Sequence, residues 1–206
     1  MQARWLKRNG GSEVIVVFGG WAVGADCLSH LAGPQDVLFV DDYRDLSLDL
    51  PDISAYARRR LLAWSFGVAA YGHWQDGRAD PFTRKTAIAG TMLPVDDRFG
   101  IPPAVVDQTR AALTEASFAS FQRRCFGQRV APVPLDIPAR QDELAAVASR
   151  GAAPVTHFDA IILPTRDRIF PPANMARAWA GQAGRIQQID APHAPFGQWQ
   201  SWDDVP

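Results

Sequence analysis

Short apolar runs alternate with helical patterns along most of this chain. Runs rich in apolar and β-branched residues predict strands near 13–18, 37–40, 60–64, 86–89, 158–163 and 185–190. Helical spacing between them predicts helices near 23–32, 53–59, 66–75 and 171–181. Residues 2–8 are expected to add one antiparallel edge strand. Such alternation is typical of a mainly parallel sheet flanked by helices with right-handed crossovers, so the predicted fold class is α/β.

One predicted strand ends in a serine that a helix of small residues follows at once. The segment Leu61-Leu62-Ala63-Trp64-Ser65-Phe66-Gly67 has the form of a nucleophile elbow, the sharp strand-to-helix turn that presents a serine in α/β-hydrolases. Small residues are needed where the strained turn brings chains together, and Gly67 and Ala63 meet that need. The usual pattern is Gly-x-Ser-x-Gly, and Ala63 replaces its first glycine. The alternative is that Ser65 has no function, so the choice between these interpretations depends on the residues that follow it in the chain.

A nucleophilic serine needs a histidine base and an acid that orients it. In α/β-hydrolases the acid and then the histidine follow the serine along the chain. His193 lies just past the last predicted strand, and Asp167 lies just past the strand before it. The sequence therefore predicts Ser65, Asp167 and His193 as a catalytic triad.

The alternatives for these two positions are less well placed. The other histidines fall in predicted helices or before a strand: His30, His73 and His157. Asp190 and Asp159 are the alternative acids, but Asp190 is too close to His193 in a tight loop, and Asp159 lies at a strand start. Asp167 could instead form a surface ion pair with its arginine neighbours, and His193 could be a loop residue of no consequence.

Acyl transfer also needs backbone N–H groups that bind an oxyanion. The residue after the nucleophile, Phe66, supplies one of them in this fold, and the loop after an early strand supplies the other. Here that loop begins Gly19-Gly20-Trp21, so the N–H of Trp21 is the expected second donor. A glycine-rich turn could instead hold a phosphate. However, the dinucleotide-binding and Walker A patterns are absent.

The alternation of strands and helices stops between about residues 91 and 155. A helical run from Val105 to Phe126 is followed by a proline-rich connector and a second helical piece, Gln141–Ser149. Hydrolases of this fold carry a lid at the corresponding place in the chain. We therefore expect residues 1–206 to form a single α/β-hydrolase domain with a helical lid insertion at about 91–155.

Composition limits the partners and the compartment. The chain has 206 residues, 47% of them hydrophobic, and a formal net charge of -1, so no electrostatic attraction to nucleic acid or anionic membrane is expected. No apolar run approaches the ~20 residues of a membrane span, and the N-terminal residues do not form a secretory signal. Cys27 and Cys125 could pair, but two lone thiols in a cytoplasmic protein are the preferred interpretation.

Taken together, four segments resemble the BioG-type pimeloyl-[acyl-carrier protein] methyl ester esterases of the α/β-hydrolase superfamily, and the resemblance covers nearly the whole chain. They are Phe18–Trp21, Ala63–Gly67, Ala89–Asp97 and Asp190–Phe196. Leu93–Asp97 and Gly100–Pro103 are also similar to the related BioH esterases.

The resemblance implies a serine carboxylesterase of biotin biosynthesis that needs no metal or organic cofactor. Its substrate would be the methyl ester of a pimeloyl chain carried by acyl-carrier protein. Another serine esterase or a thioesterase on the same fold is the alternative activity. A binding module without turnover is a third interpretation, against which the complete triad argues.

The lid supplies the expected substrate-binding and partner-binding residues. Phe118 and Phe121 are predicted to line the acyl channel, although they could simply pack the lid onto the core. Acyl-carrier proteins are acidic, so Arg123 and Arg124 are predicted to dock the carrier. The alternative for these arginines is a solvated helix face.

Overall fold

The computed structural model describes residues 1–206, and its seven strands form one sheet in the order β1-β3-β2-β4-β5-β6-β7. The first strand, β1, is an antiparallel edge strand on β3, as predicted, and every other pair is parallel. All six further strand predictions are confirmed to within a few residues. The bounds are β1 Gln2–Lys7, β2 Glu13–Phe18, β3 Asp36–Asp41, β4 Arg58–Trp64, β5 Arg84–Ile88, β6 Ala160–Pro164 and β7 Ile186–Ile189.

The central strands are covered on both faces. Every residue of β2 is buried, as is nearly all of β3, which is why these segments are continuous apolar runs rather than alternating patterns. The buried side chains form two large clusters, one on each side of the sheet. Because the parallel strands end at one edge, residues that follow β2, β4, β6 and β7 come together there.

Five α-helices complete the fold: α1 Phe66–Gln75, α2 Pro103–Ala111, α3 Glu115–Phe126, α4 Ile137–Arg150 and α5 Pro172–Ala178. The prediction of α1 is confirmed residue for residue. The helical run predicted from Val105 to Phe126 is divided into α2 and α3, because Thr114 caps a new helix by accepting from the N–H of Ser117. Helices α2, α3 and α4 all lie between β5 and β6, within the segment predicted as a lid.

Two helix predictions are wrong. The segment predicted as a helix at 23–32 holds only a 3₁₀ turn, Asp26–Leu28, after Gly24 adopts a φ of +68°. The segment at 53–59 forms no helix because β4 starts at Arg58, where the backbone pairs with Glu13 of β2. The helix predicted at 171–181 is observed as α5, which ends at Ala178; a 3₁₀ segment, Ala180–Arg185, follows it.

Candidate active site

Ser65 lies on a strained turn between β4 and α1. Its backbone has φ 60° and ψ -128°, a region that non-glycine residues rarely occupy. The turn is held by the Ser65 N–H, which donates to the Ile88 carbonyl at 2.9 Å. A Cβ on Gly67 would overlap the carbonyl oxygens of Phe18 and Gly19. The glycine two residues after the serine is therefore required by close backbone approach.

The structure brings together the side chains of Ser65, His193 and Asp167. Nδ1 of His193 lies 2.7 Å from Oδ2 of Asp167, and Nε2 lies 3.0 Å from Oγ of Ser65. A carboxylate can only accept, so Nδ1–H donates to Asp167 and the Ser65 hydroxyl donates to Nε2. All three residues are buried. This is the arrangement in which an imidazole removes the proton of a serine hydroxyl.

Backbone groups fix the orientation of the Asp167 carboxylate. Its Oδ1 accepts from the N–H groups of Ile169 and Phe170 at 2.7 and 2.9 Å, which leaves Oδ2 for His193. The neighbouring Arg166 pairs instead with Asp190 at 2.6 Å on the protein surface. The structure thus separates Asp190 from His193 and shows no ion pair between Asp167 and its flanking arginines.

Aromatic side chains enclose His193. The ring of Phe170 stacks on the imidazole with centroids 5.9 Å apart and planes 4° apart. The indole N–H of Trp64 donates to the His193 carbonyl at 3.0 Å. The sequence did not predict either contact with His193, because both contacts join segments that are distant in the chain and no sequence motif indicates them.

The two expected oxyanion donors lie beside Ser65. The N–H of Trp21 makes no hydrogen bond within the protein. Phe66 is the first residue of α1, so its N–H has no partner within the helix. Trp21 and Phe66 line the same cavity as Ser65. The positive end of the α1 dipole adds to this site a preference for negative charge.

A cavity of about 140 Å³ opens over Ser65. Phe121 and Arg124 line it, together with residues that the sequence did not single out. These are mainly apolar and come from α2, α4 and the loops after β5 and β6: Ile101, Val105, Val106, Thr109, Leu144, Arg168 and Ile169. The cavity is therefore mainly apolar, with two arginines and the hydroxyl side chains of Ser65 and Thr109 at its surface.

The structure separates the members of each predicted lid pair. Phe118 is only 3% exposed and does not line this cavity; it packs against the rings of both Phe121 and Trp21. Arg123 lies on a different groove from Arg124, beside Glu115 and Arg129. Neighbouring residues on a helix point about 100° apart, which allows Arg124 to face the cavity while Arg123 faces the other groove.

The two cysteines are free thiols. Burial raises the pKa of Cys27 to about 12 and holds the pKa of Cys125 well above its usual value, so neither competes with Ser65 as a nucleophile. No group of three or more His, Cys, Asp or Glu side chains is arranged to hold a metal ion. None of the helices combines the length and the apolar character needed to cross a membrane.

Comparison with known proteins agrees with the fold. A crystal structure of selenomethionine-labelled BioG from Haemophilus influenzae superposes with a TM-score of 0.86 at 32% identity, covering 100% of this chain and 99% of that one. A lipase-esterase related protein from Clostridium acetobutylicum shares the fold, with a TM-score of 0.61 at 8% identity over 94% and 92% of the two chains.

Sequence relatives extend the comparison. An uncharacterized protein of Haemophilus influenzae is 35% identical over 93% of both chains. A malonyl-[acyl-carrier protein] O-methyltransferase of Bacteroides fragilis is 32% identical over 88% of this chain, which matches only 39% of that protein. The family model for the pimeloyl-ACP methyl esterase BioG matches residues 1–205. The chain therefore belongs to the BioG family of pimeloyl-ACP methyl esterases.

Proposed function

We propose that the methyl ester of pimeloyl-[acyl-carrier protein] is hydrolysed here through a covalent acyl-enzyme on Ser65. The observation that carries the proposal is the hydrogen-bonded series Ser65–His193–Asp167, whose serine lines a mainly apolar cavity. Family membership supplies the activity, and the geometry supports the roles of the residues.

The reaction takes place in two stages. His193 removes the hydroxyl proton while Oγ of Ser65 attacks the ester carbonyl, and Asp167 stabilises the imidazolium that forms. The N–H groups of Trp21 and Phe66 bind the oxyanion of the tetrahedral intermediate. The imidazolium then protonates the leaving methoxide to methanol. Water, activated by the neutral imidazole, hydrolyses the acyl-enzyme and releases the free carboxylate, still attached to its carrier.

The cavity supports an extended aliphatic acyl chain as the substrate. Ile101, Val106 and Leu144 form apolar walls above Ser65, and methylene groups of a dicarboxylic chain gain free energy by leaving water there. An acyl-carrier protein as partner is supported by the Bacteroides fragilis relative, whose name describes methyl transfer to a malonyl-[acyl-carrier protein]. A cytoplasmic location is part of the same proposal.

Direct incubation tests the activity. The purified protein should convert pimeloyl-carrier-protein methyl ester to the free acid, with release of methanol and loss of one methylene mass from the carrier. Parallel reactions with simple esters and acyl thioesters separate the alternatives. Release of the whole acyl group from the carrier would indicate a thioesterase. Intact substrate, together with no labelling by a fluorophosphonate, would indicate a binding module.

Phe121 is expected to contact the acyl chain. Truncation by Phe121→Ala should lower kcat/KM about tenfold for a pimeloyl ester and little for an acetyl ester, because only the longer chain reaches its ring. Phe118→Ala is the matched control, since Phe118 stacks on Phe121 outside the cavity. Steady-state rates on both esters provide the measurement. Equal losses on the two substrates in Phe121→Ala would mean that the ring only packs the lid.

Arg123 and Arg124 are proposed to dock the acidic carrier. The double variant Arg123→Glu/Arg124→Glu should lower kcat/KM for the carrier-bound substrate roughly tenfold at low salt, because complementary charge raises the association rate, and less at high salt, where charges are screened. Hydrolysis of a small free ester should stay nearly unchanged in the single variant Arg123→Glu, because Arg124 but not Arg123 lines the cavity over Ser65. Arg84→Glu is the control, since this exposed arginine begins β5 at the opposite edge of the sheet. Parallel losses on both substrates in Arg123→Glu would assign this arginine to lid structure.

A further inference from the structure

Tyr43 is fully buried directly behind the loop that carries the expected oxyanion donor. Its hydroxyl lies 2.8 Å from the Gly19 carbonyl and 3.1 Å from the Val40 carbonyl, with both oxygens as acceptors. Burial raises the pKa of Tyr43 well above its usual value, so the hydroxyl remains protonated and remains a donor. The ring stacks on Phe18 with planes 6° apart. The position of the hydroxyl is thereby fixed.

The Gly19 carbonyl belongs to the loop that leads to Trp21 and lies against the first turn of α1. Trp21 follows it by two residues along the loop. A Cβ placed on Gly67 would approach the Gly19 oxygen to 2.7 Å, which places this oxygen against the first turn of α1, next to Phe66. A hydrogen bond that fixes this carbonyl therefore restricts the peptide planes that lead to the N–H of Trp21.

Helix α4 supports Tyr43 from the lid side. The backbone N–H of Tyr43 donates to Oε1 of Glu143 at 2.9 Å, and Nη1 of Arg140 donates to Oε2 of Glu143 at 2.6 Å. The indole N–H of Trp21 donates to the Arg140 carbonyl at 3.0 Å. The oxyanion loop is thus attached to α4 at two points, through Tyr43 and through the side chain of Trp21.

We propose that Tyr43 is a positioning residue of the oxyanion hole, and that Glu143 of α4 holds Tyr43 in place. The hydroxyl does not touch the substrate; it keeps the Gly19 peptide in the orientation that directs the Trp21 N–H towards the reacting carbonyl. The inference rests on the proposed roles of Ser65, Trp21 and Phe66. If Glu143 holds Tyr43 in place, full stabilisation of the transition state also requires α4 to keep its observed position.

Tyr43→Phe tests the proposal because it removes only the hydroxyl. We expect kcat for the methyl ester to fall about tenfold with KM within twofold, a smaller loss than the roughly 10²–10³ that follows removal of a whole oxyanion donor. The inhibition constant of an aliphatic trifluoromethyl ketone, whose serine adduct places an oxyanion in the hole, should rise by the same factor. Tyr71→Phe is the control: this buried tyrosine also packs on Phe18, but its hydroxyl bonds to Asp80.

Loss of thermal stability in Tyr43→Phe with unchanged kcat and ketone affinity would overturn the proposal. A second pair of variants keeps the test independent of that substitution. Glu143→Leu should lower kcat and ketone affinity several-fold, whereas Glu143→Gln, which retains an acceptor for the Tyr43 N–H, should restore most of both. Equal behaviour of this pair would overturn the role of Glu143. Ketone binding that survives Ser65→Ala would instead show that the proposed nucleophile is wrong, a result distinct from failure of Tyr43 alone.

Discussion

Ser65→Ala should abolish nearly all ester hydrolysis while leaving the fold intact. The hydroxyl is the only nucleophile hydrogen-bonded to His193, and without it no acyl-enzyme forms. Serine hydrolases that lack a triad member still exceed the uncatalysed rate by only ~10³–10⁴-fold, through substrate binding and the oxyanion hole. Steady-state rates on pimeloyl-carrier-protein methyl ester, measured against an enzyme-free blank, provide the test.

Two controls separate loss of chemistry from loss of structure. The far-ultraviolet circular dichroism of Ser65→Ala should match that of the parent, because a methyl group replaces a hydroxymethyl group on the same backbone. Ser54→Ala removes an exposed hydroxyl from the loop before β4 and should keep full activity. A Ser65→Ala enzyme that retains a tenth of the parent rate would show that another residue is the nucleophile.

His193 and Asp167 should act with Ser65 as one unit. His193→Ala and the double variant His193→Ala/Ser65→Ala are expected to be about equally inactive, because losses within a triad are not additive. Asp167→Asn should lower kcat by about 10⁴-fold, since an amide no longer selects the tautomer in which Nε2 accepts the serine proton. The measurement is kcat for the methyl ester in each variant.

Asp190→Asn is the matched control for the acid. Its side chain is 79% exposed and pairs with Arg166 on the surface, so this variant should keep near-parental activity. An active Asp167→Asn enzyme together with an inactive Asp190→Asn enzyme would transfer the role of the acid to Asp190. Additive losses in the double variant would mean that Ser65 and His193 do not share one reaction step.

The proposed support of the oxyanion loop by α4 would give the predicted lid a second role beside its expected role of covering the acyl chain. Leu144 lines the cavity, while Glu143, one residue earlier, is buried against the N–H of Tyr43. Helix α4 therefore lines the cavity and also contacts Tyr43, the proposed support of the oxyanion loop. Displacement of α4 would disturb the binding of the acyl chain and the stabilisation of the oxyanion together.

The sequence alone determined the strands and the placement of the candidate triad. Fully buried parallel strands require continuous apolar runs, so segments such as Glu13–Phe18 were identifiable without neighbours. In an α/β sheet the strand ends converge at one edge, so chain order sufficed to select Asp167 as the acid after β6 and His193 as the base after β7. The small residues around Ser65 marked the turn because close backbone approach leaves no room for larger ones.

Other features were decided only by the tertiary structure. Residues 53–59 have helical spacing, but pairing of Arg58 with β2 outweighs that weak local preference. Phe121 and Phe118 are equivalent in pattern, and only the packing of α3 on Trp21 places one in the cavity and the other beside it. The contact of Tyr43 with Glu143 joins residues 100 positions apart. Local sequence fixes backbone preference and burial, whereas such contacts depend on how separate elements pack, and that is set by the whole chain at once.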